Sequence, residues 1–208
     1  MKNIITIGRE LGSGGRTVGK IVAESLGIAY YDRELIDEVA KQSGFSADFV
    51  EKTEENLSNS FLYNLAMSSS YFYDMFSLSA NDAAPLTTQV FLAQQKAILQ
   101  YAEKPCVIVG RCADYILRER DDVLSVFLYA DPEKRLERAI EQYNCDKKKA
   151  SELISKSDRA RSRHYSAFTD WEWGSREHYD LMLNTSAVGF DSAAHIICSA
   201  FRAEPSAE

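Results

Sequence analysis

Little in this chain braces it covalently or locally, with only four cysteines and four prolines in 208 residues. Cys106, Cys112, Cys145 and Cys198 are dispersed, without C-x-x-C spacing or neighbouring histidines, so they read as reduced thiols and exclude a disulfide scaffold or a zinc site. Histidine is scarcer still. His164, His178 and His195 lack the spacing of metal ligands and read as surface or packing residues, His164 lying close to the most basic stretch of the chain. No apolar run is long enough for a membrane span or a signal-peptide core, and Met1-Lys2-Asn3 leads directly into a β-prone segment. The expectation is a cytoplasmic chain with no membrane partner. Basic residues are in the minority, 24 against 31 acidic, and the formal net charge of −7 disfavours nucleic acid as a partner. Positive charge therefore informs only where it is concentrated. What the chain has is 45% hydrophobic residues, sufficient for one substantial core and a single domain over 1–203, with a disordered tail over 204–208 and no internal repeats.

Four of the ten glycines fall in or just before one turn. The β-prone run Ile4-Ile5-Thr6-Ile7 passes through Gly8, Gly12, Gly14 and Gly15 into a helical face of Val18, Ile21, Val22, Ser25 and Leu26. That layout suits a phosphate loop, because backbone N–H groups wrap an anion only where side chains do not block approach, and the following helix aims its positive end at the same point. Aligned on Gly15-Arg16-Thr17, the run resembles the Walker A pattern G-x-x-x-x-G-K-[ST], with Glu10 at the first glycine and Arg16 at the lysine. Gly12, Ser13, Gly14, Gly15, Arg16 and Thr17 are the candidate nucleotide-binding residues, and the Thr17 hydroxyl is the candidate magnesium ligand. A dinucleotide-binding turn built on Gly12, Gly14 and Asp32 is the rival reading. It is weakened by Thr17 at the third glycine position and by Arg9-Glu10-Leu11 between strand and loop.

Further along, Gly27 stops the first helix and Ala29-Tyr30-Tyr31 forms a short strand that delivers Asp32 and Arg33 to a strand C-terminal end, where open α/β sheets bind ligands. Leu35, Ile36, Val39 and Ala40 give a helical face, and Ser46 is placed to cap another helix. Residues 57–85 are rich in serine, asparagine and aromatics without clear periodicity; they read either as a helical excursion packing on the body or as a wall of an acceptor pocket. Thr88 is expected to cap a helix with the face Phe91, Gln95, Ile98, Leu99 and Ala102. Cys106–Val109 reads as a buried parallel strand ending in Gly110-Arg111, and Leu124–Tyr129 as a strand meeting Asp131-Pro132, a helix cap followed by a first-turn proline. Asp180–Asn184 is the last strand and Asp191–Phe201 the closing helix. Strands separated by helices imply an α/β fold with a parallel sheet covered on both faces.

Taken together, these segments resemble the P-loop nucleoside monophosphate kinases, and within them a cytidylate-kinase-like group. The carriers are Gly12–Thr17, Tyr30-Tyr31-Asp32-Arg33-Glu34-Leu35-Ile36, Gly110-Arg111, Phe127–Arg135, Asp158-Arg159-Ala160-Arg161 and Tyr179–Thr185. The resemblance implies a three-layer P-loop NTPase fold with a five-stranded parallel sheet, a helical acceptor-side region over about 45–103, and a lid and hinge over about 146–175. It implies ATP and Mg2+ as cofactors, with a nucleoside monophosphate or similar small phosphate as acceptor. Arg111 stands where that family carries an acceptor-phosphate arginine, Arg161 matches its lid arginine, and Arg159 beside it joins the ATP-binding set. Asp32, Arg33 and Arg111 form the candidate acceptor site, and Arg16, Arg111 and Arg161 the candidate catalytic cations. Phosphoryl transfer between anions needs positioning and charge neutralisation, which explains so many arginines. A structural ion pair is the alternative for Arg111, and a solvated basic face is the reading for Arg163. Trp171 and Trp173, with Tyr165 and Phe168, read as a hinge packing cluster or, alternatively, as a base-stacking surface.

The pattern also departs from that family. Glu38 replaces an arginine after the strand-end aspartate, Cys112 follows Gly110-Arg111 where an aspartate is usual, and Ile154-Ser155 replaces an R-D pair in the lid. Two functions remain open from sequence: a kinase transferring the γ-phosphoryl group of ATP to a CMP-like acceptor, or a catalytically weak nucleotide-binding regulatory protein of the same fold.

Overall fold

A computed structural model of the chain describes residues 2–32, 34–47 and 86–203. Strand β1 (Ile4–Arg9) is the centre of a sheet with β2 (Ala29–Tyr31), β3 (Cys106–Val109), β4 (Val123–Tyr129) and β5 (Leu181–Asn184), in the order β2-β3-β1-β4-β5. Every pairing is parallel, with Ile4 beside Cys106 on one side and Val123 on the other. Parallel neighbours need crossovers, and helices supply them. Helix α1 (Gly15–Leu26) joins β1 to β2; α2 (Glu34–Ser43) and α3 (Leu86–Tyr101) lie between β2 and β3. The short α4 (Ala113–Ile116) follows β3, and the pair α5 (Pro132–Tyr143) and α6 (Lys147–Phe168) connects β4 to β5. The one-turn α7 (Thr185–Val188) and α8 (Phe190–Arg202) close the described chain.

Period-two alternation in the strands divides the core in two. Ile4, Cys106 and Ile108 point to the face covered by Leu35 and Val39 of α2 and by Val90 and Ile98 of α3. Ile5, Ile7, Val107 and Val109 point to the opposite face, against Val18 and Val22 of α1 and Ile197 of α8. Each fully buried isoleucine contributes about 1.5–3 kcal/mol of transfer free energy, so the three central strands anchor both layers. The expected α/β architecture is what forms, down to the five parallel strands. Gly27 caps α1 in a left-handed conformation (φ 66°), and Pro132 opens α5 behind Asp131.

Helix α3 departs from the expected pattern. It already includes Leu86 and Thr87, so Thr88 is a buried residue inside the helix and not its cap. Its buried face runs Val90, Phe91, Gln94, Ala97 and Ile98, whereas Leu99 is 43% exposed. The cause is Gln94, whose side-chain Nε2 donates to the Arg111 carbonyl at 2.9 Å, so a polar residue takes a buried position that apolar periodicity cannot flag. Arg33, most of the helix expected after Ser46, the aromatic segment 57–85 and the tail 204–208 lie outside the described residues.

Candidate active site

The glycine loop between β1 and α1 is held from outside by three side chains that take its carbonyl oxygens. Arg135 Nε donates to Leu11 O at 2.8 Å, Arg138 Nη1 to Gly12 O at 3.0 Å, and Thr185 Oγ1 to Ser13 O at 2.7 Å. With its carbonyls pinned outward, the loop turns toward the start of α1, where Gly14 occupies the N-cap position without any side-chain cap. The first-turn N–H groups of α1 are thus available to an anion. Gly14 cannot be another residue: its φ is 79°, and a Cβ there would overlap the Phe190 ring. Asp158 of α6 completes the brace, accepting from Leu11 N at 2.8 Å and pairing with both Arg135 and Arg161. Glu10, at the position of the first Walker glycine, pairs with Arg135 at 3.2 Å and accepts from Ala130 N. Burial pushes its carboxyl up from the usual range while Arg135 opposes that shift.

Beside the loop lies a cavity of about 330 Å³ at the C-terminal ends of β1 and β3. Arg9, Arg16, Arg111 and Arg161 line it together with Lys156. Such a switch point between strands is where open α/β sheets take ligands. Among the described residues three carboxylates stand at or beside it, Asp32, Asp158 and the buried Asp114. Asp32 serves Arg16 at 2.6 Å and Arg9 at 3.7 Å, and Asp158 is shared between Arg135 and Arg161. Burial, reinforced by the nearby Arg9 charge, pulls Arg161 down to about 9. The cavity is therefore a basin of positive charge in a chain that is acidic as a whole.

The wall opposite the loop is built where β3 ends. Gly110, Arg111 and Cys112 are consecutive left-handed residues, with φ of 75°, 62° and 54°. Two of the three carry side chains, a strained arrangement that persists only where the surroundings enforce it; Gln94 does so through the Arg111 carbonyl. Behind this turn Asp114 is buried and accepts from Tyr165 Oη at 2.8 Å, with burial raising its carboxyl from the usual range. His164 lies on the same wall, tilted against Phe168 with ring centroids 5.0 Å apart and with neither ring nitrogen hydrogen-bonded among the described residues. Burial first and the Arg111 charge second lower it to about 3, so its imidazole is neutral at physiological pH.

Of the residues singled out from sequence, Arg16, Arg111 and Arg161 meet at this cavity. Asp32 is buried next to it through its ion pairs with Arg16 and Arg9, and Thr17 is exposed in the first turn of α1. Arg159 and Arg163 are exposed, and neither lines the cavity. Trp171 stacks on His178 at 4.2 Å and meets Tyr115 edge-on, while Trp173 meets Phe127 edge-on and borders the cavity. Sequence reading gave no site role to Arg9, Arg138 or Gln94, and took Arg135 and Thr185 only as parts of the matching segments. A signal existed for two of them: Arg135 and Arg138 are three apart on the helix opened by Asp131-Pro132, and so share one face. Among the described residues no group of three histidines, cysteines or acidic side chains is placed to hold a metal ion.

Over residues 4–187 the chain matches the model of the cytidylate kinase-like family. It belongs to that family. A cytidylate kinase from Archaeoglobus fulgidus is 25% identical over 198 residues, spanning 94% of this chain and 93% of that protein. The crystal structure of an uncharacterized protein from Eubacterium ventriosum superposes with a TM-score of 0.72 at 27% identity, covering 98% of this chain and all of that one (100%). Shikimate kinase from Bacteroides thetaiotaomicron shares the fold, with a TM-score of 0.51 at 12% identity over 96% of this chain and 98% of its own. Family membership puts the chain among the kinases of nucleotides and small molecules, as a phosphotransferase of α/β architecture. No described helix is long and apolar enough to cross a membrane.

Proposed function

We propose that this family member transfers the γ-phosphoryl group of ATP to a nucleoside monophosphate, CMP-like in class, bound in the arginine-lined cavity. The observation that carries the reading is the convergence of Arg9, Arg16, Arg111 and Arg161 on one basin beside an uncapped helix N-terminus. Two polyanions brought together repel, and four guanidiniums offset that repulsion while fixing the phosphates in line. In this account the loop from Gly12 to Thr17 holds the donor phosphates by backbone N–H groups. Arg111, in its left-handed turn, orients the acceptor phosphate together with Asp32 beyond the neighbouring strand, and the sequence candidate Arg33 is assigned to the same acceptor. Arg161 reaches in from α6, while the exposed Arg159 joins the donor side upon closure of that helix.

The residues fit ATP, since the loop carbonyls are turned away and the first turn of α1 carries no side-chain cap. They also fit Mg2+ in a limited way, Thr17 offering one hydroxyl and the nucleotide phosphates the remainder. Bound there, the ion supplies charge neutralisation of the β- and γ-phosphates.

One observation favours the alternative of a weak, regulatory nucleotide binder: Arg16 is tied to Asp32 at 2.6 Å and its side chain is 48% exposed. A coupled assay of ADP formation with purified protein, ATP, Mg2+ and CMP, dCMP, UMP or AMP decides between them. Turnover with a pyrimidine monophosphate supports the kinase. Nucleotide binding without turnover on any acceptor supports the regulatory reading.

A further inference from the structure

Arg9 occupies a socket that two separate loops are built to leave open. At the end of β1 its side chain crosses Gly15, the first residue of α1, where an added Cβ would lie 2.7 Å from Arg9 Cβ and Cγ. Its guanidinium then rests on Gly110 at the end of β3, where a Cβ would collide with Nη1. Any side chain at either glycine would displace the arginine. The head is thereby held between the first turn of α1, where donor phosphates are to sit, and the Arg111 turn, where the acceptor phosphate is to sit. Arg161 is joined to the same point, its Nη1 donating to the Arg9 carbonyl at 3.1 Å.

A structural arginine in such a place is expected to be satisfied by its carboxylate, and this one is not. Asp32 stands 3.7 Å away, beyond hydrogen-bond distance, and its Oδ1 has no hydrogen-bond partner among the described residues. Asp32 Oδ2 is taken by Arg16 at 2.6 Å. Burial lowers the proton affinity of Arg9 below that of an ordinary guanidinium; Asp32 and, more weakly, Tyr30 and Asp158 oppose that shift, while Arg16 adds to it. Only 12% of its side chain is exposed, on the cavity wall. A fixed, desolvated cation that faces a cavity and shares its carboxylate beyond hydrogen-bond distance is preorganised for an anion.

We infer that Arg9 is the cation that holds the phosphoryl group in transit, performing the task that the Walker lysine performs elsewhere, while Arg16, in the lysine's own position, is held at the rim by Asp32. The inference rests on the kinase reading of the site. In the step it serves, the bond from the γ-phosphorus to the bridging oxygen of ADP breaks as a bond to an oxygen of the acceptor phosphate forms. Charge moves onto ADP, and Arg9 donates hydrogen bonds throughout without losing a proton.

The test is a calorimetric titration of the full chain, with Mg2+ present, using the nonhydrolysable triphosphate AMP-PNP and, separately, ADP. Wild type is expected to prefer the triphosphate by tenfold or more. Arg9→Met and Arg9→Gln are expected to bring the two affinities within about twofold while ADP binding stays near the wild-type value; glutamine keeps length and hydrogen bonding should methionine fail to fold. Ligand-free Arg9→Met is expected to melt no lower than wild type, because a buried charge with only a shared, distant carboxylate is removed while Asp32 keeps its closer pair with Arg16. Retention of the triphosphate preference in both variants would overturn the inference and leave the kinase reading standing, as would a parallel loss of both affinities with a lowered melting temperature. Failure of wild type to bind either nucleotide would overturn both.

Discussion

Asp158 ties three parts of the site together, since it takes the Leu11 N–H and faces both Arg135 and Arg161. Its replacement by alanine leaves a buried amide and two guanidiniums short of a partner. At 18% side-chain exposure the penalty is partly relieved by water, and Asp158→Ala is expected to destabilise the fold by about 2 kcal/mol, read as a lowered urea midpoint at unchanged slope. Asp158→Asn keeps an acceptor for Leu11 and should lose about half of that. His164 gives a second expectation, in pH. It titrates at about 3 in the folded chain against 6.5 for an ordinary histidine, so above pH 6.5 neither state is protonated. Between 6.5 and 3 only the unfolded state takes up the proton. Stability is therefore complete above 6.5 and falls on acidification by about 1.4 kcal/mol per pH unit, and the difference between wild type and His164→Leu in pH-dependent unfolding should carry that slope. A flat difference across that window would mean the imidazole is solvated.

Helix α5 acts on nucleotide binding without touching the nucleotide. Arg138 spans Gly12 O and Thr185 Oγ1, each at 3.0 Å, and packs over the Phe190 ring, whose edge abuts Gly14. Arg138→Leu frees the Gly12 carbonyl to turn inward against an incoming phosphate, and nucleotide affinity measured by calorimetry should fall about tenfold, the size of one lost charge-assisted hydrogen bond. An unchanged affinity would remove α5 from the account. Helix α6 is docked on the loop through Asp158 and Arg161, and hydrogen exchange over 153–163 should slow further when nucleotide and acceptor are both present. The elements themselves were legible. Ile4–Ile7 and Cys106–Val109 are apolar and β-branched enough to read as buried strands, and Gly27 and Asp131-Pro132 carry their own local geometry. What stayed hidden depends on long-range contact. Arg9 is visible only as the residue before a glycine loop, and its importance arises from Gly110, a hundred residues away. Gln94 violates the apolar face of its helix because its partner is the Arg111 carbonyl, and no local pattern announces that.

Taken whole, the molecule is an acidic α/β kinase fold that concentrates its arginines at one end of the sheet. Several guanidiniums crowd around one cavity there, so anions should stabilise the whole fold by linkage. ATP at a hundred times its dissociation constant is expected to add about 2.7 kcal/mol and inorganic phosphate less, both seen as a concentration-dependent rise in melting temperature. Cytidylate kinase-like membership and the P-loop geometry were readable from the residues that carry them, whereas the acceptor was not, because the cavity is assembled from β1, β3, α6 and the chain between α6 and β5. The central claim is that this cavity brings an acceptor phosphate to the donor held by the loop. The direct measurement is the fate of γ-labelled ATP in a single turnover, with enzyme in excess, Mg2+ present and CMP as acceptor, followed by separation of the nucleotides. The account predicts label in CDP, lost in Arg111→Met although ATP still binds. Label that remains in ATP or appears only as inorganic phosphate, with CMP and then each of the other monophosphates bound, would contradict it.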